Sequence, residues 1–254
     1  MKVSGPLFIA LFASLSTISS KDVLAQSKEP PLEDKRLSIH TLIREDIFAG
    51  WRSNNPKRLQ RGEDNIEKLL KMRPDAKADL LAWKGGVALY HAAVANEQDN
   101  EKRYETKLKQ ARQLFAEAKK TNPNSGGVHS LIGGSNAMFG DRLAKKDQKI
   151  CFEQAYESFQ FLWKNQGPDI KKMPLHVGGE LLAGLVQTAQ RLGKEKETAI
   201  HLDKIIEVYD GSAYAREAKL WKSNPESAKT RVIVCKSCHS AGRLQAKLRR
   251  LDNK

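Results

Sequence analysis

Cysteine is scarce in this chain: there are three among 254 residues, and two of them, Cys235 and Cys238, stand close together near the end. A secreted domain stapled by disulfides shows an even set of spread cysteines, so this fold must rest on a hydrophobic core instead. Its 40% hydrophobic content is enough to build one. Aromatic residues amount to 7%, and none follows Trp221. The basic tail beyond it lacks rings that could stack on bases, which argues against a single-strand nucleic-acid platform. Long apolar runs are missing too, apart from one between Pro6 and Ile18 that is short for a bilayer and rich in Ser.

That run fits an export leader. Lys2 precedes it, and Val23-Leu24-Ala25 follows as a small-residue cleavage site. Residues 1–25 are expected to be a signal peptide, giving an exported, periplasmic chain with no integral membrane span after cleavage; an uncleaved anchor is the alternative. Residues 26–36, QSKEPPLEDKR, read as a polar linker.

The formal charge is +14 and unevenly spread. Residues 229–254 hold Lys229, Arg231, Lys236, Arg243, Lys247, Arg249, Arg250 and Lys254 against Asp252 alone. Such a field steers acidic partners towards this end, while a solvated helix face is the plain alternative. With export removing the usual nucleic-acid partner, none is expected.

Between linker and tail, apolar residues recur three and four apart, the period of amphipathic helices. Leu181, Leu182, Leu185, Val186, Ala189 and Leu192 form one stripe, and Ala199, Leu202, Ile205, Ile206 and Tyr209 the next. Breakers punctuate the pattern at Arg73-Pro74-Asp75, Asn122-Pro123-Asn124, Gly167-Pro168 and Asp210-Gly211. Ahead of each stands a small residue, an apolar one four later and another three after that. The sets are Gly62, Ile66, Leu69; Ala111, Phe115, Ala118; Ala155, Phe159, Leu162; and Ala199, Asp203, Ile206, in which Asp203 replaces the apolar residue.

This pattern resembles the second helix of a tetratricopeptide repeat, and Trp83 and Tyr90, seven apart, resemble that family's first-helix aromatics. The resemblance covers residues 37–222. It implies an all-α, tetratricopeptide-like helical-hairpin solenoid with a groove for a partner protein, in which the small residue lets paired helices approach and the aromatic fills the gap between hairpins. The units exceed the family's usual length, through longer first helices or turns such as ANEQDNEKRYETK. Glycine pairs in the first helices, at Gly85-Gly86, Gly126-Gly127, Gly133-Gly134 and Gly178-Gly179, suit either tight helix crossing or room for a ligand.

Residues 223–254 form a C-terminal segment containing RVIVCKSCHSAGRLQ. Cys235, Cys238 and His239 stand in the order Cys-x-x-Cys-His, which resembles the attachment motif of c-type cytochromes. The resemblance implies one covalent haem c per chain. Cys235 and Cys238 would be its thioether anchors and His239 the proximal iron ligand. A zinc site, a thioredoxin-like redox pair and a structural disulfide are the alternatives, although no second ligand pair, and no strand-helix setting, accompanies the motif.

No Met or His follows His239, so a distal ligand from this chain must come from the helices. Met173 and His176, beside a Pro at a helix start, are the leading candidates, ahead of His201, His129 and Met138. After the motif, Leu244, Leu248 and Leu251 form the apolar stripe of a short basic helix; before it, Arg231-Val232-Ile233-Val234 reads as an extended linker. Cys151 reads as a buried thiol.

The expected function is electron transfer or redox sensing by a haem c carrier that docks an acidic redox partner. A non-enzymatic interaction scaffold with structural or metal-binding terminal cysteines is the alternative. No acid-base pair supports an enzyme such as a peroxidase, and no catalytic residue is assigned.

Overall fold

The computed structural model describes residues 29–234 and 242–252. The expected signal peptide and Cys235, Cys238 and His239 lie outside the described residues. Residues 30–234 belong to one compact unit, and the last helix belongs to another and is treated by itself.

Each helix starts where the local chemistry favours it. Ser38 caps α1 (Ile39–Ser53) by accepting a hydrogen bond from the Thr41 N–H, and Asn54 closes it in the left-handed region at φ 47°. Asn55 caps α2 (Pro56–Met72), whose first residue is the proline that best tolerates that position. A 3₁₀ turn at Pro74–Ala76 leads into α3 (Lys77–Glu97). Asn100 caps α4 (Glu101–Thr121) and Ser125 caps α5 (Gly126–Phe139). Then follow α6 (Lys145–Gln166), a 3₁₀ stretch at Gly167–Lys172, α7 (Leu175–Arg191), α8 (Glu195–Val208), α9 (Ala213–Ser223) and the single turn α10 (Pro225–Ala228). All four expected breakers fall between helices, and no strand occurs among the described residues.

The helices pair as α1/α2, α3/α4, α5/α6 and α7/α8, with α9 packed on α8. Each first helix also touches the next first helix, so α1, α3, α5 and α7 share one side of the array. This is the all-α helical-hairpin repeat expected from the sequence. The great length of the second unit comes from its helices, not its turn: α3 and α4 each run 21 residues and are joined by Gln98–Asn100, with Asp99 at φ 53°.

Small residues and aromatics perform the expected packing. A Cβ on Gly62 of α2 would lie 2.7 Å from Ile47 of α1, while Ala111 and Ala155 are wholly buried. Phe115 of α4 lies against Gly85 of α3, 2.6 Å from where a Cβ would be. Phe159 of α6 fills the gap between two hairpins: it lies 3.1 Å from where a Cβ on Gly133 of α5 would be, and closer still to that position on Gly184 of α7.

The fourth unit corrects the expected register. Ala199 is exposed, and Asp203 lies at the surface paired with Lys222. The buried apolar residues of the helix are Leu202 and Ile205, so the half-buried Thr198 takes the small-residue place one position earlier. Cys151 is buried as read. Its thiol donates to Asn136 Oδ1 at 2.9 Å, and burial pushes its pKa above the ordinary thiol range. The final helix, α11 (Arg243–Asp252), is amphipathic: Leu244 is buried, Leu248 and Leu251 half-buried, and Lys247, Arg249 and Arg250 exposed.

Two predictions follow from this packing. Gly184→Ala should destabilise the protein by about 1–3 kcal/mol through overpacking against Phe159. Gly134→Ala, with nothing within 4 Å of the new Cβ, should stabilise it by about 0.5–1 kcal/mol through helix propensity. Urea denaturation midpoints moving in opposite directions would confirm the contrast.

The second concerns pH. His201 of α8 is 6% exposed, edge-on to Trp163 at 5.5 Å, with Nδ1 unpartnered, and burial holds its pKa below the ordinary imidazole value. Above about pH 6.5 both folded and unfolded chains carry it neutral. Below that value the unfolded chain takes up the proton first, so stability is lost as the pH falls towards the lowered folded value. Unfolding midpoints measured from pH 7 to pH 5 should decline, and His201→Leu should flatten the decline.

Candidate functional site

The shared side of the four first helices encloses a groove of about 540 Å³. Its aromatic base comes from residues one or two turns apart on neighbouring helices. Phe48 and Trp51 of α1 meet at 4.9 Å, Trp51 and Trp83 at 6.1 Å, and Phe48 stands perpendicular to Trp83 at 6.2 Å. Trp83 is 1% exposed, and Tyr90, seven residues on, lies 6.3 Å from Trp51 and 5.6 Å from Phe139. The first-helix aromatics thus belong to one cluster beneath the groove. Leu131 and Met138 of α5 and Leu181 of α7 add aliphatic walls.

Polar side chains stand among these apolar walls. His40 overlies Trp83 at 5.4 Å between ring centroids. Although part of its surface stays open, the surrounding protein strips water from it, and this, with the charges of Arg44 and His176, pushes its pKa below the ordinary imidazole value. Asp79, in the first turn of α3, is raised above the usual carboxylate range by burial, against only a 3.4 Å hydrogen bond from Ser125. Gly127 leaves it space, since a Cβ there would lie 2.7 Å from Asp79 Oδ1. Glu180 accepts a hydrogen bond from the Tyr214 hydroxyl. Among the groove-lining residues, Trp51 Nε1 and Arg73 Nη1 are buried without a hydrogen-bond partner.

The expected distal-ligand candidates separate clearly. His176 lines the groove, flanked in sequence by the exposed Leu175 and Val177, and Met138 lines it from α5. Met173 instead packs half-buried against the core of the last hairpins. His129 stacks on Phe161 at 3.8 Å and donates through Nε2 to the Pro123 carbonyl at 2.9 Å, and His201 is sequestered beside Trp163. Among the described residues no cluster of three or more His, Cys, Asp and Glu side chains is arranged to hold a metal ion, and no helix is long and apolar enough to cross a membrane.

The segment leading to Cys235 is a buried strap, not a loose linker. Ile233 and Val234 are 0% and 3% exposed and join the core cluster of α7 and α9. Gln187 of α7, itself fully buried, accepts from the Ile233 and Val234 N–H groups at 3.1 and 3.4 Å and donates to the Ala137 carbonyl of α5 at 2.7 Å. Arg191, one turn further, forks onto Asp141 at 2.8 Å and donates to the Arg231 carbonyl at 3.0 Å and to that of Ala228. Arg231 in turn pairs with Glu217 of α9, whose carboxylate also accepts from the Trp221 indole at 3.1 Å. Sequence reasoning missed Gln187 and His40. The signal for Gln187 was its place inside LLAGLVQTAQRL, where every residue from Leu181 to Ala189 is buried; a polar side chain on such a helix needs an internal partner.

No protein-family model, curated protein or solved structure matches the chain.

Gln187→Leu should remove the acceptor of two buried N–H groups and cost about 1–3 kcal/mol of stability. Hydrogen exchange at the Ile233 and Val234 amides should accelerate well beyond that of the helical amides of α3 and α4, and equal acceleration everywhere would refute the clamp.

Proposed function

We propose that the protein is an exported carrier of one covalent haem c, acting in electron transfer or redox sensing. The carrying observation is the order Cys235-x-x-Cys238-His239 behind an export-type leader. Two thiols and an adjacent imidazole are the donor set that thioether attachment and proximal ligation need, and the bound group would supply one-electron exchange. The strap supports the reading, because Gln187, Arg191 and Glu217 hold the chain directly ahead of Cys235. The hairpin pairing and the groove along the first helices support the tetratricopeptide-like reading of residues 37–222. The cationic residues of 229–254 suit an acidic redox partner in the periplasm.

The groove favours a second reading, a scaffold that binds a protein segment there while its terminal cysteines are structural or metal-binding. Expression with a c-haem maturation system separates the two. The first reading expects a haem-staining band that survives denaturation and disappears in the Cys235→Ala, Cys238→Ala double variant. A colourless wild-type chain would overturn it.

A further inference from the structure

We infer that the groove is the seat of an iron porphyrin and that His176 is the iron donor the helical array contributes. The inference rests on the haem reading of the terminal motif, and it adds which surface of the array receives the macrocycle and which side chain faces the metal.

Four observations converge. First, the clamp and His176 share a helix face. They are eleven residues apart on α7; at about 100° per residue, that returns within about 20° of the same direction after three turns. The axial separation is about 16 Å, and the five residues from Val234 to His239 have a contour of at most about 18 Å. The chain length from the clamp to His239 thus permits the motif to reach the stripe that carries His176. Neither Met173, packed against the core, nor His40, on α1, shares that stripe.

Second, the groove has the size and character of a site for an apolar ligand. Its 540 Å³ falls within the range of about 300–1,000 Å³ usual for ligand pockets, and indole, phenyl and aliphatic side chains form most of its walls. Third, Gly134 in the middle of α5 faces the groove with nothing within 4 Å of a Cβ position, whereas every other described glycine inside a helix meets a neighbouring side chain. Glycine there costs the helix about 1 kcal/mol relative to alanine, and the packing of the protein itself offers no compensation. Room for a ligand does. Fourth, the unpartnered Trp51 Nε1 and Arg73 Nη1 are both donors at the groove walls, which suits a macrocycle that carries carboxylates at its edge.

The test uses the full chain carrying Cys235→Ala and Cys238→Ala, so that attachment plays no part. Haemin is titrated by Soret absorbance, and metal-free protoporphyrin by quenching of the groove tryptophans. Both should bind once per chain. Gly134→Phe should weaken both by about tenfold or more, equivalent to about 1.4 kcal/mol, and Ser130→Phe, at an exposed groove-lining position, should do the same without touching the core. His176→Ala should abolish the shift of the haemin Soret band and leave protoporphyrin affinity unchanged. Unaltered porphyrin affinity in both Phe variants would overturn the seat, and an unaltered haemin spectrum in His176→Ala would overturn the donor. A wild-type chain that never acquires covalent haem, while haemin still binds through His176, would remove the haem c reading and leave the seat standing.

Discussion

Aromatic rings seated on glycines set the spacing of the helical pairs, and the groove exists only because that spacing is held. Phe115 rests on Gly85, and Phe159 is wedged between Gly133 and Gly184. Tyr209 and Tyr214 lie against Gly178 and Gly179 at the start of α7. Each glycine lets a ring come nearer to a helix backbone than any side chain would permit, trading about 1 kcal/mol of helix propensity for close packing. The contacts run from second helices to first helices, so they fix the angle and distance at which α3, α5 and α7 stand beside one another. Gly134 of α5 is the exception, with no ring or other side chain against it.

The same packing leaves α7 with few exposed positions, and its polar residues therefore have assigned partners. Tyr214 donates to Glu180, the strap donates to Gln187, and Arg191 spans Asp141 and two strap carbonyls. A buried amide with every hydrogen bond made is tolerable, and one left with a broken bond is not. The strap is consequently held through its backbone: Gln187 accepts from the Ile233 and Val234 N–H groups while Arg191 donates to the Arg231 and Ala228 carbonyls. Burial of Ile233 and Val234 adds the apolar contribution.

Periodicity and punctuation carried most of the fold. Breakers with Pro or Gly lie between the helices, and the small-apolar-apolar spacing marks the second helix of the first three units, because both depend on local chemistry. The fourth unit shows the limit. Ala199 and Leu202 both fit an apolar stripe, and only the contact of α8 with α7 and α9 decides that Thr198, Leu202 and Ile205 face inward. The groove was legible in part. Glycine pairs suggested either close crossing or ligand space, and the structure divides them, with Gly85, Gly133 and Gly179 against side chains and Gly134 against none. His40 could not be found from sequence, since its relation to Trp83 and His176 spans α1, α3 and α7 and leaves no periodic trace.

Charge distribution completes the physical picture. The cations of residues 229–254 produce the strongest local excess in the sequence, yet the exposed Arg231 is paired with Glu217. Within the strap, positive charge therefore serves structure, and the field available to a partner comes from residues beyond it, such as the exposed Lys247, Arg249 and Arg250 of α11. The groove walls carry charges of both signs, Asp75, Asp79 and Glu180 with Arg73 among them. Carboxylate repulsion there acts on any anionic group that enters, and the unpartnered Arg73 Nη1 is the donor placed to offset it. The exposed cations of α11 act through a long-range field, whereas the groove acts at contact, through apolar burial and a small number of directed donors.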